Sequence, residues 1–232
     1  MTINIWSDVR CPFCYIGKHK FENALKQFPH KDQVRVIWRS FELDPDLQTR
    51  TDISTLDYLA EHKMINKAQA EEMTQYVAQA AQEVGLQFDT RKNVVANTFK
   101  AHCLIQLAQS KNRGDAAEEL LFQSHFTKGE NVDDEATLLR IASDIGLDLK
   151  EVNDALHTDT YARKVRNDEE EARIMGIRGV PFFVFNDQYA VSGAQPEAVF
   201  LNALNQSWNA FEKQNQPIVS EGDYCSAEGS CE

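Results

Sequence analysis

The chain has 232 residues, 42% of them hydrophobic, which is ample for a packed core in one domain or in a small domain carrying a large insertion. Its net charge of −12 repels phosphate backbones and anionic lipid, and no run of lysine and arginine interleaved with aromatics offsets this locally. Nucleic-acid and membrane partners are therefore not expected, and no apolar stretch approaches the roughly 20 residues that a bilayer crossing needs.

In chain order, the opening MTINIWSDVR has no basic start, long apolar run and small-residue cleavage site in succession, so the cytoplasm is the expected location. Thiols are normally kept reduced there. Five cysteines then point to redox, catalytic or metal chemistry, or to packing, rather than to a permanent disulfide framework. TINIW is short, apolar and partly β-branched and predicts a strand. QVRVIWRSF, with Val34, Val36 and Trp38 on one face, predicts a second. Between them Phe21, Leu25 and Phe28 recur at helical spacing, which completes a β-α-β unit in the first 45 residues.

From about Thr55 the period changes to that of a helix. EEMTQYVAQAAQEVG stacks Met73, Val77, Ala80, Ala81 and Val84 on one face and ends on Gly85, a helix-terminating residue. Further helices are expected at roughly 98–111, 114–127, 134–145 and 148–156, separated by glycine or by aspartate caps such as Asp133 and Asp148. A charged helix at 160–175 contains DEEEAR, read as a solvated face. GIRGVPFFVFN then predicts a buried strand and YAVSGAQ a second one, before a helix that starts at Pro196.

Residues 1–45 and 163–210 thus carry the order β-α-β, then α-β-β-α, which is the element order of a thioredoxin fold. The fold expected is α/β and thioredoxin-like, with residues 46–162 as an all-helical insertion that caps the sheet or forms a lid. Residues 211–232 form a tail with a second cysteine pair, Cys225 and Cys231.

The sequence DVRCPFCYIGK places Cys11 at the junction of strand and helix, with Pro12, Phe13 and Cys14 in the first turn. Unpaired amide hydrogens and the positive end of the helix dipole there stabilise negative charge on the Cys11 sulfur and favour an attacking thiolate. Arg10 adds to this stabilisation and Asp8 opposes it. Cys14, one turn on, reaches the same sulfur and can resolve a mixed disulfide. Two other readings stay open: a pair of packing cysteines, or half of a zinc site completed by Cys225 and Cys231, whose five intervening residues exceed the usual finger spacing. Pro181 of GVPFF marks a strand start or an unusual turn. In a thioredoxin fold the corresponding proline is cis and lies against the active pair, and the backbone of Val180 before it can pair with an extended substrate.

DVRCPFCYIGKHKFENAL, NTFKAHCLIQLA, GIRGVPFFVFN and YAVSGAQPEAVFLNAL together resemble the DsbA family of thioredoxin-fold oxidoreductases, in its FrnE-like branch. That branch is related to 2-hydroxychromene-2-carboxylate isomerase and the kappa-class glutathione transferases. The resemblance covers about residues 2–210 and implies Cys11 as nucleophile, Cys14 as resolving thiol and Pro181 as the cis proline. It also sets Asn97 and His102 toward the cleft above Cys11, joining Pro12, Phe13 and Val180 as substrate contacts, although a structural role for His102 fits equally. The isomerase and transferase relatives carry serine where this chain has a cysteine pair, which favours disulfide exchange.

The function expected is a cytoplasmic thiol–disulfide oxidoreductase acting on protein or small-molecule thiols and disulfides, with no required cofactor or metal and glutathione as an allowed co-substrate. The alternatives are a glutathione-dependent isomerase or transferase, and a zinc-tethered binding module. Cys103 continues an apolar stripe with Phe99 and Leu107 and is expected to be buried and inert. Cys225 and Cys231, surrounded by acids that disfavour thiolates, suit an auxiliary redox pair better than an attacking group.

Overall fold

The computed structural model describes residues 1–89 and 91–215. Thr2–Ser7 forms β1, buried from Ile3 to Ser7, with its buried Asn4 satisfied by Arg39, as a strand covered on both faces requires. Pro12–Gln27 forms α1, whose opening proline occupies a position where a missing amide hydrogen costs nothing. Arg35–Ser40 forms β2, which pairs parallel with β1 from Thr2 opposite Arg35 to Ser7 opposite Ser40. A parallel pair needs such a crossover helix.

Helices follow: α2 (Thr55–Lys63), α3 (Lys67–Gln82), α4 (Phe99–Ser110) and α5 (Gly114–Phe122), which runs on into a π-helical turn over Gln123–Lys128. Then come α6 (Glu135–Asp144), α7 (Leu149–His157) and α8 (Asp159–Ile174). The chain returns to the sheet as β3 (Phe182–Phe185) and β4 (Tyr189–Ser192) and ends in α9 (Glu197–Asn215). The sheet order is β2-β1-β3-β4, with β3 antiparallel to both β1 and β4. This is the expected α/β, thioredoxin-like architecture with its large helical insertion. Asn186 and Asp187 make the β3–β4 turn with φ of 50° and 56°, a left-handed conformation that short polar side chains tolerate.

One side of the core is aromatic. Phe21 of α1 sits 5.6, 6.2 and 5.9 Å from the rings of Phe183, Phe185 and Phe200, which ties α1, β3 and α9 together. All four are essentially inaccessible, and burying each is worth roughly 1.5–3 kcal/mol. The packing of α4 and α8 against β2 encloses a polar seam instead. There the Asp168 carboxylate accepts from Arg39 Nη1 at 2.9 Å, Ser40 N at 3.0 Å and Gln106 Nε2 at 2.7 Å.

Two expectations are corrected. The acidic run at 168–173 is not wholly a solvated face: Asp168 and Ala172 are buried, because a helix packed on a strand turns every third or fourth residue inward. The cap of α6 is Asp134, which accepts from Thr137 N, whereas Asp133 accepts from the Thr49 hydroxyl at 2.6 Å. Asp148 caps α7 as expected. The α3 stripe of Met73, Val77 and Ala81 is fully buried only at Ala81, since Met73 and Val77 border an open cleft.

Candidate active site

After β1 the chain turns through Asp8, Val9 and Arg10. The Cys11 amide donates to the Asp8 carbonyl at 2.9 Å, which leaves Cys11 at the N-cap of α1 in an extended conformation. Its side chain makes no capping hydrogen bond. The Cys11 thiol instead points to the carbonyl of Val180, with Sγ 3.5 Å from the oxygen, and the Val180–Pro181 peptide is cis. Gly17 permits this approach, because a Cβ there would stand 3.0 Å from Pro181 Cγ.

Cys11 is only 5% exposed, and what exposure it has opens onto a cleft of about 420 Å³. Pro12 and Phe13 line one wall, Tyr58 and Val77 another, and His125 and Phe126 a third. Arg10 and Lys63 add positive charge at its margin, where His62 also stands. Arg10 spends its guanidinium on Tyr58, donating to the hydroxyl at 3.2 Å and lying 5.5 Å from the ring centre. His125 is buried with Nδ1 unbonded. Burial, and after it the nearby Arg10 charge, push its pKa down to about 4, so the imidazole is neutral at neutral pH. The π-helical turn that carries His125 closes at Gly129, φ 69°, where a Cβ would meet the Lys92 carbonyl oxygen at 2.8 Å.

The other side of the same helical turn faces inward. Cys14 is 1% exposed, and burial followed by interaction with Cys11 raises its thiol pKa well above the ordinary value. The Asp8 amide and the Ser7 hydroxyl work in the opposite direction. Beneath lies a buried ion pair. Burial alone would push the Asp8 carboxyl up, but His102 at 3.6 Å and the amides of Leu43 and Arg10 at 2.8 and 3.2 Å hold it below its usual value. Burial likewise works against the His102 cation, and Asp8, Glu118 and Glu42 prevail and raise its pKa.

Glu118 of α5 is fully buried, and burial lifts its carboxyl to about 7 against the influence of Ser7, His102 and Lys18. Lys18 is also buried, bridged to Glu22, to Glu119 at 2.8 Å and to Asp115 at 3.7 Å. Tyr15 donates to Glu119 at 2.7 Å and stacks on Phe122 at 4.8 Å, so α5 is clamped to the first turns of α1.

Cys11, Cys14, Pro12, Phe13, Val180 and Pro181 therefore converge at one end of α1. Asn97 and His102 do not join them, contrary to expectation. The Asn97 side chain is spent on loop geometry, donating to the Leu47 carbonyl at 3.0 Å and accepting from Phe99 N at 2.9 Å. His102 turns inward to Asp8 and does not border the cleft. Cys103 is buried, and burial pushes its thiol up to about 12. Cys225 and Cys231 lie outside the described residues.

Sequence reading missed Lys18, Glu118 and His125. Glu118 left one trace: it falls on the apolar stripe of α5, four residues from both Gly114 and Phe122. Among the described residues no cluster of three or more histidine, cysteine or acidic side chains is arranged to hold a metal. Nor is any helix of the described residues long and apolar enough to cross a membrane.

Residues 2–205 match the DSBA-like thioredoxin domain family. The crystal structure of a probable DsbA oxidoreductase from Streptomyces coelicolor is 38% identical, with a TM-score of 0.84 over 100% of this chain and 98% of that one. The Bacillus subtilis protein YwbO is 30% identical over 210 residues, covering 88% of this chain and 95% of its own length. A 2-hydroxychromene-2-carboxylate isomerase shares the fold at 13% identity, with a TM-score of 0.64 over 95% of this chain and 100% of its own. The match along nearly the whole fold, with the cysteine pair at the head of α1, shows that the chain belongs to the DsbA-like thioredoxin domain family and, with it, to the thiol–disulfide oxidoreductases.

Proposed function

We propose that the Cys11–Cys14 pair exchanges disulfides with thiol- and disulfide-bearing substrates, with Cys11 attacking and Cys14 resolving. The observation that carries this reading is the asymmetry of the two sulfurs: Cys11 faces a cleft beside the Val180 carbonyl, while Cys14 is sealed beneath it with a raised pKa. In the reducing direction the Cys11 thiolate attacks one sulfur of a substrate disulfide. A Cys11–substrate bond forms, and the other substrate sulfur leaves as a thiolate and takes a proton from water. Cys14, deprotonated, then attacks Cys11, and the second substrate thiolate leaves. Two electrons pass from the pair to the substrate. Starting from the Cys11–Cys14 disulfide, the same steps run backward and oxidise a dithiol.

An extended substrate would lie along the backbone at Val180 and rest on Pro12 and Phe13. Glutathione, as a small thiol with two carboxylates, suits a cleft of this size with cations at its margin. Because the fold is shared with an isomerase, architecture alone does not choose the reaction, and the presence of both cysteines is what favours exchange. Cys225 and Cys231 enter the reading as an auxiliary pair that relays electrons to or from Cys11 and Cys14, because a ring closed over five residues stabilises the fold little.

Reduction of insulin disulfides tests the main reading: the full chain is expected to turn over and its Cys11→Ser variant to be inert. Equal activity in both would end it. A chain truncated after Asn215 that keeps full turnover would remove the relay alone.

A further inference from the structure

The chain carries 36 acids against 24 lysines and arginines, yet the cleft at Cys11 is lined by two cations, Arg10 and Lys63, and one acid, Asp44. Neither cation forms an ion pair among the described residues, and Asp44 is engaged by the Tyr58 hydroxyl at 3.4 Å. Tyr58 takes only Nη2 of the Arg10 guanidinium, at 3.2 Å, and Nη1 is buried without a hydrogen-bond partner. On another wall stands His125, 5% exposed, with Nδ1 equally without a partner. A buried hydrogen-bonding group left unmet costs stability. Two of them on the walls of one ligand-sized cleft mark a place where a bound molecule supplies the partners.

His125 is held firmly in that position. The π-helical turn that carries it is a form of helix common at functional sites, and its backbone is pinned from the neighbouring loop. The Asp89 amide donates to the Phe126 carbonyl at 2.8 Å, and the Thr127 hydroxyl to the Gln87 carbonyl at 3.1 Å. The imidazole is neutral at neutral pH, so with its proton on Nδ1 it donates a hydrogen bond and adds no charge to the wall.

We propose that Arg10 and His125 form a carboxylate-binding subsite beside Cys11, which selects small thiols and disulfides that carry a carboxylate close to the sulfur. This rests on the reading of Cys11 and Cys14 as an exchanging pair. Arg10 Nη1 and His125 Nδ1 each donate to the carboxylate, and Lys63, exposed at the rim, raises the local concentration of anions. Arg10 precedes Cys11 in the chain, which sets the anchored group near the reacting sulfur. An anionic disulfide is otherwise repelled by the attacking thiolate, and the guanidinium offsets that repulsion. The chemistry is unchanged: Cys11 bonds to one substrate sulfur, the substrate S–S bond breaks, and the other sulfur leaves as a thiolate with the electron pair. Arg10 and His125 are substrate-binding residues and transfer no proton.

The test uses the reduced full-length chain carrying Cys225→Ser and Cys231→Ser, mixed in single turnover with 3,3′-dithiodipropionate, bis(2-hydroxyethyl) disulfide or cystamine, which are anionic, neutral and cationic. Oxidation of the pair is followed by acid quenching and mass spectrometry. Each rate is divided by that of the same disulfide with free dithiothreitol, which removes the intrinsic differences among leaving groups. The corrected rate for the dicarboxylate is expected to exceed that for the neutral disulfide by roughly 10-fold, the size of one hydrogen bond to a charged group, with cystamine slowest. Arg10→Met should abolish this ratio. His125→Leu, which alters no charge at neutral pH, should reduce it several-fold, and His125→Gln, which keeps a hydrogen-bonding amide, should restore part of it. Because the ratio is taken within each variant, a change in Cys11 reactivity or a loss of folded protein cancels. A ratio near one in the parent overturns the subsite and leaves the exchange reading intact. A ratio that survives Arg10→Met, or that His125→Leu leaves unchanged, assigns the preference to the general field of the cleft and also overturns it. Absence of reaction at Cys11 with all the disulfides overturns both readings.

Discussion

The two faces of the first turn of α1 are built from opposite materials. Cys11 looks out on an apolar cleft walled by Phe13, Val77 and Phe126, whereas Cys14 looks in on Ser7 and Asp8, and Asp8 pairs in turn with His102. The sulfurs are three residues apart, yet one borders the cleft and the other is sealed from it. The difference teaches that reactivity in a cysteine pair is assigned by what lies around each sulfur: on the exchange reading proposed above, the one bordering a ligand-sized space meets the substrate and the buried one waits for its neighbour to be modified.

The sharpest way to break this contrast is to remove one sulfur at a time. Cys11→Ser is expected to lower disulfide-exchange turnover by at least about 10³-fold, since the nucleophile itself is gone. Cys14→Ser should also lose turnover but accumulate a mixed disulfide on Cys11, visible as a mass shift on the peptide containing residue 11. Accumulation on any other cysteine would contradict the assignment.

Phe122 of α5 packs in the same cluster as both cysteines and stacks on Tyr15 at 4.8 Å with no solvent exposure. Phe122→Ala should cost about 3–5 kcal/mol in a denaturant titration and loosen the cleft wall and the buried cluster together. A change below about 1 kcal/mol would show that α5 is not held to α1 through this contact.

The inward face should carry a pH signature. An unfolded glutamate titrates near about 4.3, whereas Glu118 in the fold keeps its proton to about 7. Between those values the native state binds more protons than the unfolded one, so stability falls as pH rises through that window. Glu118→Gln removes this dependence. The variant should match the parent below about pH 4 and gain on it by roughly 3 kcal/mol by pH 7, with no further change above. A difference independent of pH would mean that the carboxyl is not held neutral by burial.

Gly17 gives the smallest expected effect. Gly17→Ala places a Cβ 3.0 Å from Pro181 Cγ, so the Pro181 loop must shift by a few tenths of an ångström away from Cys11. Exchange rates should fall by a few fold with little loss of stability, and an unchanged rate would show that the Val180 carbonyl need not sit where it does.

By itself the sequence determined the strands, the crossover helix, the helical insertion between the two halves of the sheet and the place of the cysteine pair. Each rests on local information: apolar runs of strand length, helical spacing, and a proline that opens a helix where its missing amide hydrogen is harmless. The places of Cys11, Cys14 and Pro181 in the chain's elements were legible for the same reason, since position at a helix or strand end is a property of neighbouring residues.

Only the tertiary structure decided which polar groups surround the sulfurs. Asn97 and His102 are close in sequence to a plausible cleft wall, yet packing turned one to the Leu47 carbonyl and the other to Asp8. Asp168, in an acidic run, was drawn inward by Arg39, Ser40 and Gln106, from two other elements. Glu118 is buried because α5 folds back against α1, more than a hundred residues earlier in the chain, where Tyr15 donates to Glu119. Burial and charge act through space, so the pKa values that distinguish these groups arise only when distant segments exclude water together.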